Sequence, residues 1–184
     1  MRKTGEEILG EGNWLCLKRS FFVDDQGRDF NWEHIARKGP SRHAVVIFAV
    51  IEPTDEVLLI RQFRPGANAF VLGLPAGMVE PGATDAGSEA LRELLEETGY
   101  IGEVMEVSPL LSSFPALSDA TLQLVRARIN QDLPVNRNPR QRLEPGEIIE
   151  TLRVPRKQIR QFLIEEANRG TLVVSGLWYL FALA

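Results

Sequence analysis

Glu89, Arg92, Glu93, Glu96 and Glu97 fall within the single stretch "EALRELLEETGY", residues 89–100. On a helix, residues three and four apart are neighbours, so Glu89/Glu93 and Glu93/Glu97 face each other as like charges, each pair costing about 0.2–0.5 kcal/mol. A solvated helix face would tolerate that, with Arg92 pairing to Glu96 four residues on. Two features favour a ligand instead. The charge is one-sided, and the helix is entered from the Gly/Pro-rich loop "LPAGMVEPGATDAG", where backbone groups can approach a bound molecule closely. Oxygen ligands at i, i+3 and i+4 suit a hard divalent cation. Mg²⁺ in particular takes one or two carboxylates and shares the rest of its shell with water and substrate phosphate. The chemistry indicated is that of a metal–phosphate site.

The elements that must position these groups follow from hydrophobic pattern and turn chemistry. "WLCLKRSFFV" (14–23) reads as a strand, "DDQGRDF" as a hairpin turn, and "NWEHIARKGP" as a short polar strand ending at Gly39-Pro40. "HAVVIFAVI" (43–51) is too apolar for a half-exposed strand and too short for a long helix, which predicts a central strand flanked by 56–63 and 69–74. The glutamate helix is expected over about Asp85–Thr98, with Asp85 as N-cap, a buried stripe of Leu91, Leu94 and Leu95, and Gly99 closing the C-terminus. Further strands are expected at 121–129 and 147–154. Pro155 should start an amphipathic helix with Ile159, Phe162 and Leu163 inward, ending near Gly170; "SGLWYLFALA" should be a last, mostly buried helix. Strands with interspersed helices imply a mixed α/β layer architecture.

A chain of 184 residues suits one compact domain with at most a small extension. A net charge of −4 offers no footprint for nucleic acid or an anionic membrane, so an anionic substrate must be held by a few arginines or a metal ion. The single Cys16 excludes an internal disulfide framework and a multi-cysteine zinc site. The start, "MRKTGEEILG", lacks the apolar core of a signal peptide, and no apolar run approaches the ~20 residues that span a bilayer. A cytoplasmic location is expected.

Residues 77–100 resemble the Nudix box: Gly77, then Arg92-Glu93-Leu94-Leu95-Glu96-Glu97-Thr98-Gly99-Tyr100. The first half departs from the pattern. Ala83 or Thr84 stands where the box has a glutamate, and one extra residue lies between Gly82 and Arg92. "VLLIRQFRP", "LPAG", Pro115 and the early Trp32-Glu33-His34-Ile35-Ala36-Arg37 are similar to the ADP-ribose and nucleoside-diphosphate-sugar pyrophosphatase branch of the Nudix hydrolases. Gly73 replaces the glutamate often found before "LPAG" in that branch.

The resemblance implies an α/β (α+β) fold, with an α/β/α sandwich around a mixed sheet in residues 41–184 and an N-terminal antiparallel β extension in 1–40. It also implies a homodimer formed through that extension, each subunit contributing to its partner's base-binding site. The reaction implied is hydrolysis of a diphosphate bridge in a nucleotide-sugar, with ADP-ribose the best guess. Mg²⁺ is the expected cofactor, with Mn²⁺ as substitute. Glu93 and Glu97 with the main-chain carbonyl of Ala76 are the implied metal ligands, and Glu96 a third ligand or a partner just behind them. Glu147, then Glu144, are the candidates for the general base; Glu150 reads as a plain exposed residue. Arg64, with Arg61 as its alternate, is expected to grip the diphosphate, since a guanidinium donates in a planar fork. Trp32, Glu33 and Arg37 are expected to hold the base. Arg92 is expected to tie helix to loop, Trp14 and Trp178 to pack, and His34 and His43 to be structural. Two alternatives stay open: a nucleoside triphosphate pyrophosphohydrolase, and a non-catalytic Nudix-fold ligand sensor.

Overall fold

A computed structural model describes residues 1–39, 43–83 and 85–182. Pro40, Thr84 and the expected boundary between residues 40 and 41 lie outside them. The chain opens with three antiparallel strands, β1 (Arg2–Glu11), β2 (Leu15–Val23) and β3 (Asp29–Arg37), which form a sheet of their own in that order. The hairpin expected at "DDQGRDF" joins β2 to β3, with Asp24 accepting the backbone N–H groups of Gln26 and Arg28 and Gly27 at φ 78°.

The main sheet contains nine strands among the described residues. They are β4 (His43–Glu52), β5 (Glu56–Arg64), β6 (Ala69–Gly73), β7 (Ala76–Met78), β8 (Glu103–Val107), β9 (Leu111–Ser112), β10 (Thr121–Asn130), β11 (Ile149–Pro155) and β12 (Leu172–Val173). The through-going order is β12-β6-β5-β4-β10-β8, with β11 on β5, β7 on β4 and β9 on β10. β4 and β10 run parallel in unbroken register from His43↔Thr121 to Glu52↔Asn130, and β6 and β12 are also parallel; the other pairings are antiparallel.

Helices cover both faces, as the continuous apolar run of β4 requires. Val45, Ile47, Ala49 and Ile51 point to one side, where Ala90 and Leu94 of α1 (Ala86–Thr98) join them in a fully buried cluster with Leu58, Val125, Ala127 and Ile129. The alternate residues Val46, Phe48 and Val50 face the other side, packed by Val57, Leu59, Leu72, Ile159, Leu163 and Leu177 from β5, β6, α3 (Ile159–Asn168) and α4 (Ser175–Ala182). The short α2 (Pro134–Arg137) lies between β10 and β11. This is the expected α/β/α sandwich with a mixed sheet.

Several local expectations need correction. β1 has no apolar period and was not foreseen as a strand. β3 ends at Arg37, before Gly39, and β11 begins at Ile149, which leaves Glu147 in the preceding turn. Pro155 closes β11, and a 3-10 turn at Arg156–Gln158 precedes α3. Of the expected stripe on α1 only Leu94 is fully buried; Leu91 and Leu95 are half-buried. The last helix buries Leu177 alone, because one helix against a sheet can hide only one stripe; Trp178, Tyr179 and Leu180 are exposed. Trp14 is 76% exposed in the single chain, so neither it nor Trp178 packs in the core as expected.

Candidate active site

The strand β7 and the helix α1 build the site between them. β7 pairs with β4 through alternate residues: Pro75 accepts the Ile47 N–H at 2.8 Å and the Val79 N–H donates to His43 at 3.0 Å. Ala76 and Met78 therefore turn their backbone groups away from β4, towards α1. The Ala76 N–H donates to Glu97 Oε2 at 2.9 Å, and an Arg92 nitrogen lies 3.5 Å from the Met78 carbonyl. The Ala76 carbonyl shares that side of the strand. α1 starts as foreseen, with Asp85 accepting the Ser88 N–H at 2.8 Å, and ends at Gly99, whose φ of 77° takes the left-handed cap. A side chain at Gly99 would also strike the backbone of Arg140, at 2.3–2.8 Å.

Glycine at position 77 makes room for a carboxylate. A Cβ there would lie 1.9–2.4 Å from the carboxyl atoms of Glu93, so only glycine lets that carboxylate reach the strand. Glu97 is 3% exposed. Burial pushes its carboxyl up to about 8; Glu93 and Glu147 add to this, while the Ala76 N–H and Arg64 pull against it. Burial likewise raises Glu93, opposed by Arg92 and reinforced by Glu96 and Glu147. Glu147 and Arg64 thus act electrostatically on the acid helix although they come from distant segments. Glu147 is fixed in a turn, accepting the Glu144 N–H at 3.0 Å and donating its own N–H to the Glu144 carbonyl at 3.1 Å, with Gly146 at φ 93°. Glu144 itself is exposed.

Arg92 is the hub, as its expected structural role requires. It donates to Glu96 at 2.6 Å, Glu93 at 2.7 Å and Glu89 at 3.1 Å. With Glu93 and Glu96 drawn to Arg92 and Glu97 to Ala76, no three His, Cys, Asp or Glu side chains among the described residues are grouped to hold a metal ion. The donor chemistry nevertheless fits a divalent cation. Every candidate ligand is an oxygen, burial raises the carboxyls of the buried Glu97 and the half-buried Glu93, and the missing Cβ of Gly77 lets Glu93 come up against the strand.

The arginines of β5 separate cleanly. Arg61 is spent on ion pairs with Glu150 and with the buried Glu166, which removes it as the phosphate-gripping alternate and gives Glu150 a structural partner. Arg64 lies exposed at the end of β5. Trp32, on β3, donates its indole N–H to the Ala116 carbonyl at 2.8 Å and keeps 52% of its surface open. The Ile35 N–H bonds the Leu117 carbonyl at 2.8 Å, so the small sheet is fastened to the loop that contains Pro115. Glu33 is held by Arg19 at 2.7 Å and Arg37 is exposed at the strand end. His43 bonds Thr121 and Gln123. Gln141 had no sequence signal; its amide donates to the carbonyls of Glu97 at 2.6 Å and Ile149 at 3.1 Å, locking β11 to the end of α1. Glu89 was visible only as one more like charge.

The family model of the NUDIX domain matches residues 40–172. An ADP-sugar pyrophosphatase of Mus musculus is 35% identical over 98% of this chain and 85% of its own length. An ADP-ribose pyrophosphatase of Saccharomyces cerevisiae is 32% identical over 85% of this chain and 71% of its own. A solved ADP compounds hydrolase superposes with a TM-score of 0.67 at 20% identity, covering 92% of this chain and 94% of that one, which shows the shared fold. The chain belongs to the Nudix hydrolase family.

Proposed function

We propose that the protein hydrolyses the diphosphate bond of a nucleoside diphosphate sugar, best ADP-ribose to AMP and ribose 5-phosphate, with Mg²⁺ as the cation and Mn²⁺ as substitute. The observation that carries this is the half-buried Glu93 against Gly77 and the buried Glu97 on the Ala76 N–H, with Arg64 and Glu147 acting on Glu97 from two other segments. The names of the mouse and yeast relatives support the nucleotide-sugar class.

Glu93, Glu97 and the Ala76 carbonyl would hold the cation, with Glu96 as a third ligand or behind it. The bound cation supplies neutralisation of charge on the phosphoryl oxygens and a lowered pKa for attacking water. Arg64 grips the diphosphate in a bidentate fork. Glu147 takes the proton from the attacking water, and its electrostatic reach to Glu93 and Glu97 favours it over the exposed Glu144. Trp32 offers an open indole face to the base, with Glu33 and Arg37 on the same strand. Ile8, Trp14, Leu15 and Leu17 leave an exposed apolar surface around the small sheet, which supports its use as the homodimer contact. Among the described residues no helix is long and apolar enough to cross a membrane.

The test is direct. AMP release from ADP-ribose should require added Mg²⁺, exceed release from ATP or dGTP, and fall about 10²–10³-fold in Glu97→Gln. Faster turnover of triphosphates would favour the triphosphate pyrophosphohydrolase, and binding of ADP-ribose with no turnover in Mg²⁺ would favour the sensor.

A further inference from the structure

Glu89 lies one turn before Arg92, is 8% exposed, and touches both halves of the site's frame. Its Oε2 accepts the backbone N–H of Glu80, in the loop, at 3.0 Å and an Arg92 nitrogen at 3.1 Å. The loop position six residues after Gly77, where the box pattern has a glutamate, is Ala83 here. No carboxylate can therefore come to Arg92 from that place. We propose that Glu89, from within the helix, takes over the anchoring that the loop does not provide, and is a positioning residue for the metal-binding carboxylates.

The geometry gives the reason. Arg92 is shared among Glu89, Glu93 and Glu96, and its Nε is buried without a partner. Glu93 and Glu96 have a second task, since they must turn from the guanidinium to serve a cation. Glu89 has none. Its carboxylate points to a backbone N–H of the loop, so it remains as the fixed counterion when the other two leave. Without it, Arg92 would compete with the cation for Glu93, and the loop at Glu80 would lose its tie to α1.

This inference rests on the metal-dependent reading above, but a separate measurement tests it. Mn²⁺ affinity, read by its EPR signal in the full chain without substrate, should fall about 10–100-fold in Glu89→Ala, with kcat on ADP-ribose reduced by a similar factor and KM little changed. Adding Ala83→Glu to that variant should recover most of the Mn²⁺ affinity, which a merely structural role for Glu89 would not produce. A folded Glu89→Ala protein with wild-type Mn²⁺ affinity overturns the proposal, as does a double variant with no recovery. If the wild type cleaves no diphosphate, the pyrophosphatase reading falls while the Mn²⁺ titration still decides the role of Glu89; a wild type that binds no Mn²⁺ overturns both.

Discussion

β1–β3 of the small sheet match β4, β5 and β10 of the main sheet in length and oppose them in burial. β4 contributes Val45, Ile47, Ala49 and Ile51 at 0% exposure, and its other face is packed as well. Along β1–β3 only Cys16, Ser20 and Ala36 are buried, while Ile8, Leu15 and Leu17 are 55%, 46% and 41% exposed. The main sheet holds its own core and carries the acid site on one face. The small sheet is held by cross-strand ion pairs, Glu6 with Lys18 and Glu7 with Arg19, and by its fastening to the Pro115 loop. Apolar surface in the main sheet stabilises the chain itself; in the small sheet it stays open in the single chain, the surface we propose for the dimer contact.

Substitutions should separate these two uses. Ile47→Ala removes a fully buried side chain between α1 and the sheet, and should cost about 2–5 kcal/mol, read as a lower urea midpoint at unchanged m. Leu17→Glu should change the stability of the single chain by no more than about 0.5 kcal/mol, because the side chain is already open to water. Its effect should appear in light scattering instead, as a shift from dimer to monomer mass. An unchanged mass would move the proposed dimer contact elsewhere, and a large loss of chain stability would erase the contrast between the sheets.

The same contrast explains what the sequence made legible. β4, β5, β6, β10, α1 and α3 carry apolar runs or a clear period, and along β4 burial follows the run, while α1 buries Glu89 and Glu97 beside Leu94. β1, "RKTGEEILGE", has none; its strand character comes from pairing with β2, through register shifts at Gly5 and Gly10 that no local pattern encodes. β8, β7 and β12 are too short to show a period. In α4 the apolar residues run all round the helix, so composition suggested burial that a single packed face cannot deliver. At the candidate site, Glu93, Glu97 and Arg64 stood out in the sequence because their types and motif suggest the chemistry. Gln141 and Glu89 were not, since their roles depend on which backbone groups the fold brings to them.

Another small effect lies in the outer sheet and concerns pH. Hydrogen bonds from Lys18, then Lys3, pull Glu6 down from 4.5 to about 2 against a modest opposing effect of burial. A lowered carboxyl contributes stability that is present above pH 4.5 and lost as pH falls towards 2, where the folded state must take up the proton as well. The pairs are partly open to solvent, so Glu6→Gln should cost under about 1 kcal/mol at pH 7, and less at high salt. Glu97 has the reverse sign: with its carboxyl pushed up to about 8, the metal-free chain loses stability as pH rises from 4.5 through 8. The two windows do not overlap, so urea midpoints at pH 3, 5 and 8 without divalent cation can assign each. Glu6→Gln should flatten only the acid side. A flattened alkaline side would mean that the small sheet is coupled to the acid helix more tightly than its sparse buried contacts allow.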